Sequence, residues 1–181
     1  MDRMLWENHW RYCRLLEQEL DEISVYIELS KNNFSCYSIK LMRLINSAVS
    51  EFEVVAKEIC SQLQPEDNVE YYNISKIRDV ILSAYPNLTQ TEVRVLDMNY
   101  VFCPFLGWDQ ESRLNWWDTY NKLKHDRNNY FERANLQQAI YSVAVLKVMV
   151  MILRNYTKAF IPGTTWTLIQ VQEIWQESKN S

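Results

Sequence analysis

Glycine is almost missing from this chain of 181 residues: Gly107 and Gly163 are the only two. All-β domains and nucleotide-binding α/β folds spend glycine on tight turns and phosphate loops. Neither a GxGxxG run nor a Walker-type loop is present, so a mostly helical fold is expected. Histidine is equally scarce, with only His9 and His125. The four cysteines, Cys13, Cys36, Cys60 and Cys103, form no CxxC pair. That argues against a zinc site and predicts reduced, small core thiols in an intracellular, cytoplasmic protein. No metal and no cofactor is expected. Positive charge is not in excess either. The formal net charge is −4, so nothing draws the whole molecule to nucleic acid, and any RNA contact must be a local patch. The longest apolar run, AIYSVAVLKVMVMIL at 139–153, is fifteen residues and is interrupted by Lys147. A bilayer needs about 20, so a buried central helix is expected rather than a membrane span. The opening MDRMLWENHW is too polar for a secretory signal.

What is present reads as one helical domain over 1–163, with a tail at 164–181. Hydrophobic residues at 48% and charged residues at 23% are ordinary for a globular chain. A first helix is predicted from Leu5 to about Val25, with Trp6 and Trp10 docking its start and His9 as a packing or capping residue. Ser38 is placed to cap a second helix ending at Leu63. Leu41, Leu44, Ile45, Ala48, Phe52, Val55, Ile59 and Leu63 give it the clearest helical period in the chain. Glu51, Glu53, Lys57 and Glu58 are assigned to its solvated side. Pro65 ends it, and a short third helix is expected over 74–85, with Ile77, Val80 and Ile81 inward. Residues 87–110 lose this periodicity and read as an aromatic-rich excursion holding a short strand pair. Ser112 is placed to cap a motif helix that ends near Lys124 or His125, and a longer helix is expected over 134–158. Pro162 and Gly163 close the domain. The tail carries Trp166, Leu168, Ile169, Val171, Ile174 and Trp175, which suit docking on the same bundle or on a second subunit.

Residues 116–131, WWDTYNKLKHDRNNYF, concentrate aromatic and basic side chains around one of the two histidines. On a helix, Trp117, Asn121 and His125 fall on one stripe, and Tyr120 and Lys124 on the next. An imidazole can take and give a proton near neutral pH. Asn121 can hold a phosphate or orient a hydroxyl. Lys122, Lys124 and Arg127 can offset phosphate charge, and Trp116, Trp117 and Tyr120 can stack bases. These are the ingredients of metal-independent RNA cleavage, in which the ribose 2′-hydroxyl attacks the adjacent phosphate. The competing reading makes the tryptophans core and lets His125 face the negative end of the helix dipole. It predicts buried His125 and Asn121, hydrogen-bonded to main chain.

The order of segments carries a further indication. The long helix with SEFEVVAKEIC at 50–60, an insertion, then WWDTYNKLKHDR, then FERANLQQAIYSVAVL resembles the HEPN superfamily. The likeness spans roughly 39–156 and is most specific over 116–136. It implies an all-α, antiparallel helical bundle with the aromatic-rich insertion before the motif helix. It also implies a metal-independent endoribonuclease of a defence or toxin–antitoxin system, working as a homodimer with composite sites, or partnered by a cognate antitoxin or defence protein. The family signature sets an arginine ahead of a histidine with four to six residues between them. His125 matches the histidine and Asn121 the polar residue, which the resemblance makes the catalytic pair. Asp118, Thr119 and Tyr120 occupy the three positions open to the arginine, and Lys124, Arg127 or Arg113 would have to replace its charge. A catalytically inactive, partner-binding HEPN-like module is therefore the second expectation.

Overall fold

The computed structural model describes residues 3–110, 114–157 and 167–172. They form a predominantly α-helical bundle with one small antiparallel sheet. The helices are α1 (Arg3–Ser24), α2 (Ile39–Leu63), α3 (Ile74–Ala84), α4 (Asn115–His125), α5 (Arg127–Tyr130) and α6 (Leu136–Thr157). The strands are β1 (Val93–Val95), β2 (Tyr100–Phe102) and β3 (Ile169–Val171), in the order β2-β1-β3. The expected positions of Ser112, Arg113, Lys158, Pro162, Gly163, Trp166, Ile174 and Trp175 lie outside the described residues.

α6 is the axis of the core. Twelve of its apolar side chains from Leu136 to Leu153 are buried, and it packs chiefly on α2 and then on α1. A helix apolar on every side has to be enclosed by others. At 22 residues it runs past the apolar run that marks it in the sequence. It is the one helix among the described residues long and apolar enough to cross a bilayer, but 83% of that window is buried inside the protein. α2 obeys its predicted register. Ser38 Oγ accepts from the Leu41 N–H at 3.1 Å and fixes the start. Every predicted inward residue from Leu41 to Ile59 is buried. Asn73 caps α3 in the same way, accepting from the Lys76 N–H at 2.9 Å.

The excursion after α3 does hold a strand pair. Val93 faces Phe102 and Val95 faces Tyr100. Asn99 turns the hairpin at φ 47°, a left-handed conformation that asparagine tolerates better than most residues. Beyond β2 the chain drops Phe105 and Trp108 into an aromatic cluster with Phe52 of α2 and Trp116 of α4. Trp116 Nε1 donates to the Pro104 carbonyl at 3.1 Å. The excursion thereby sets the position of α4.

Strand β3 lies on the other edge of β1, with Val93 opposite Val171. It is held by a buried carboxylate. Glu17 Oε1 accepts the main-chain N–H of Leu168 at 2.6 Å and of Ile169 at 2.7 Å, and the Thr167 hydroxyl at 2.8 Å. Lys147 Nζ sits 2.9 Å from both Glu17 oxygens and also reaches Thr167 Oγ1.

All four cysteines are unbonded. Burial pushes the Cys13 and Cys60 thiols up to about 12. Thiolate is the form that alkylates. Iodoacetamide at pH 8 should therefore leave both unlabelled in the folded protein and label them in urea, as read by peptide mass spectrometry. Labelling of either in the native state would show that the core opens.

Candidate functional site

α4 presents two unlike stripes. Trp116, Tyr120 and Leu123 recur at three and four residues and are buried. They lock the helix onto α2 and the aromatic cluster. The expected base-stacking role of Trp116 and Tyr120 is thus corrected: both rings are packed inside the fold, because they lie on the core stripe. Trp117 is only half-buried, edge-on to Trp116.

The other stripe ends at His125, which is exposed, as are Lys124 and Arg127. Asp126 breaks the helix at φ −148°. The four-residue helix α5 follows, a turn that nothing in the sequence reading anticipated, and Asn129 Nδ2 steadies it against the Asp126 carboxylate at 2.9 Å and 3.0 Å. The bend closes a groove of about 500 Å³ against α2. Met42, Asn46 and Leu123 line its floor, and Lys124, His125, Asp126, Arg127 and Asn128 its wall. A second hollow of about 400 Å³ continues it past Met42 towards Ile39 and Phe131. Lys122, Lys124 and His125 all stand in the last turn of α4, where the helix dipole favours positive charge.

The remaining predicted residues are placed elsewhere. Asn121 does not line the groove. It is half-buried, and its Nδ2 donates to the Trp117 carbonyl one turn back at 2.8 Å. The outcomes required by the packing reading therefore split: Asn121 makes the main-chain bond but is only half-buried, and His125 is exposed. Tyr120 meets Lys124 through its hydroxyl at 3.5 Å, with the ammonium also 5.4 Å from the ring centroid. Lys122 is engaged on the opposite side. It lies 3.1 Å from Asp118 Oδ2 and 4.8 Å from the centre of the Tyr130 ring. Arg133 approaches the same Asp118 oxygen at 2.7 Å.

Asp118 stands at one of the positions open to the signature arginine, and these contacts give it another task. Burial alone would raise its pKa, but hydrogen bonds and charge from Lys122 and Arg133 outweigh that and hold the carboxyl below its ordinary value. A depressed folded-state pKa means stability that is present at neutral pH and lost as pH falls through the carboxylate range. Asp118→Asn should lower stability by about 0.5–1 kcal/mol at pH 7. The gap from wild type should narrow progressively as pH falls through and below the carboxylate range, as measured by urea unfolding. A gap that does not change with pH would assign the effect to packing.

Two residues of this region were not singled out from the sequence as site residues. Asn46 lines the groove, and its Oδ1 is buried without a hydrogen-bond donor. Glu51, assigned to the solvated side of α2, instead meets His9 Nδ1 at 2.6 Å. The short polar rail of Asn46, Ser47, Ser50 and Glu51 beside the apolar face of α2 was the available signal.

Fold and site together describe a helical bundle with an imidazole-bearing, cation-walled groove. No protein-family model, no curated protein and no solved structure matches the chain.

Proposed function

We propose that the chain is a cytoplasmic, HEPN-like protein that binds RNA in the α2–α4–α5 groove and cleaves it without a metal. The observation that carries this is the grouping of exposed His125, Lys124 and Arg127 on the wall of one groove. The cations would hold a phosphate, and His125 would move the proton of the attacking 2′-hydroxyl or of the leaving oxygen. Asn121 acts indirectly here, fixing the last turn of α4 through its bond to Trp117. Lys122 and Tyr120 support the wall rather than the strand, Lys122 through Asp118 and Tyr120 through Lys124. The test is shortening of an unstructured RNA by purified protein in EDTA, with the His125 variant as its control.

A second reading has its own support. Asp118, Thr119 and Tyr120 leave no arginine in the signature position, and Asp118 is tied to Lys122 and Arg133. Large apolar side chains also stand open beside a hollow of about 720 Å³ between α1 and α2, with Leu15 51% and Ile39 65% exposed. Apolar surface of this kind marks protein contacts. In this reading the chain is catalytically inert and docks a second copy of itself, a cognate antitoxin or another defence protein. A stoichiometric partner in solution, with no RNA turnover, would favour it.

A further inference from the structure

The groove continues beyond His125. Asn46, in its floor, also lines a separate cleft of about 320 Å³ between α1 and α2. Met42, Asn46 and Ser50 recur every four residues, so one rail of α2 joins the two spaces over about 12 Å. The second space is walled by Tyr12, Ser47, Ser50 and Glu51, and its size lies at the lower end of ordinary small-ligand clefts.

Its chemistry is the reverse of the first. Where the His125 end offers cations, this end offers acceptors. Glu51 Oε1 is fixed by His9 Nδ1 at 2.6 Å, with only 17% and 11% of the two side chains exposed. Asn46 Oδ1 is buried, and among the described residues no donor reaches it. Buried acceptors are rarely left unmet, since the loss of hydration is not returned. Tyr12 places a partly exposed ring alongside, and an aromatic face beside hydrogen-bonding groups suits a planar ligand.

We propose that this cleft receives a nucleobase whose edge donates hydrogen bonds, guanine above all, while its phosphate lies against Lys124 and Arg127. Guanine sets a ring N–H beside an exocyclic amino group, two donors that one carboxylate can accept together. The Asn46 oxygen is at hand for a further N–H. Uracil offers one ring N–H between two carbonyl oxygens, which Glu51 and Asn46 repel. The inference rests on the RNA reading of the neighbouring groove and gives that groove a sequence preference.

Calorimetric titration of the full chain with 5′-GMP and with 5′-UMP tests it. GMP should bind at least about 10-fold more tightly, the discrimination expected of a two-donor contact. Asn46→Ala removes an oxygen that no protein donor reaches, so its melting temperature should match wild type. It should lower GMP affinity about fivefold and should not weaken UMP binding. Glu51→Gln should cost GMP about 10-fold or more, and Lys124→Ala should weaken both nucleotides alike. Equal affinities, no binding of either nucleotide, or an Asn46→Ala protein that binds GMP as wild type does would each overturn the base cleft. A GMP preference without RNA cleavage in EDTA would uphold the cleft and remove the nuclease reading. RNA cleavage without any base preference would do the opposite.

Discussion

Lys147→Met is expected to destabilise the fold by about 3–5 kcal/mol, the cost of leaving one member of a buried ion pair without its partner. Glu17 is fully buried and Lys147 nearly so. Water cannot replace the ammonium, and the methionine brings no donor. Among the described residues, the carboxylate would keep the Thr167 hydroxyl and the main-chain N–H groups of Leu168 and Ile169. Glu17→Gln combined with Lys147→Met should recover most of the loss. The neutral amide needs no counter-charge, and its oxygen still accepts from β3. Glu17→Leu combined with Lys147→Met should recover much less, because two buried N–H groups then lose their acceptor at about 1–3 kcal/mol each. Urea midpoints of the three variants separate these terms. If Lys147→Met unfolds within 1 kcal/mol of wild type, well below the expected cost, the pair does not anchor the core. If the leucine double variant matches the glutamine one, Glu17 is not what holds β3.

The contrast between that pair and the helices shows what the sequence can reveal. Leu41, Leu44, Ile45, Ala48, Phe52, Val55 and Ile59 announce α2 and its buried face because helical periodicity is local. Ser38 announces its start for the same reason. α6 is legible as a core helix from apolarity alone, and Lys147 is visible there as an interruption. Its partner Glu17 lies 130 positions away, and no local pattern joins the two. Strand β3 is three residues long and pairs with a strand far earlier in the chain, so alternation could not reveal it. α5 is four residues long, too short to show a period. The site was partly legible by the same logic. Trp116, Tyr120 and Leu123 share the core stripe of α4, and helical phase alone would have removed the two rings from the list of base-stacking groups. The exposed end of the other stripe, His125, followed from that phase. The pairing of His9 with Glu51 across 42 positions did not.

His125→Ala should slow RNA decay in EDTA by at least about 100-fold, the lower bound for a positioned proton-transfer group. The size of the effect follows from how few groups can do this work. The groove wall holds one imidazole, beside Lys124, Asp126 and Arg127. Because His125 is exposed at the end of α4, the variant should melt with wild type, so lost activity cannot be charged to lost structure. Arg127→Ala and Lys124→Ala should instead weaken RNA binding, each with a shallower salt dependence, since each removes about one phosphate contact. Their effect on the rate measured at saturating RNA decides whether they stand in for the missing arginine. A fall in that rate makes the cation part of the chemistry, and a fall confined to affinity makes it part of the grip. Decay that is the same in wild type and His125→Ala locates the activity outside this groove. Absence of decay in both leaves the partner-binding reading, and the exposed Leu15 and Ile39 then become the residues to change.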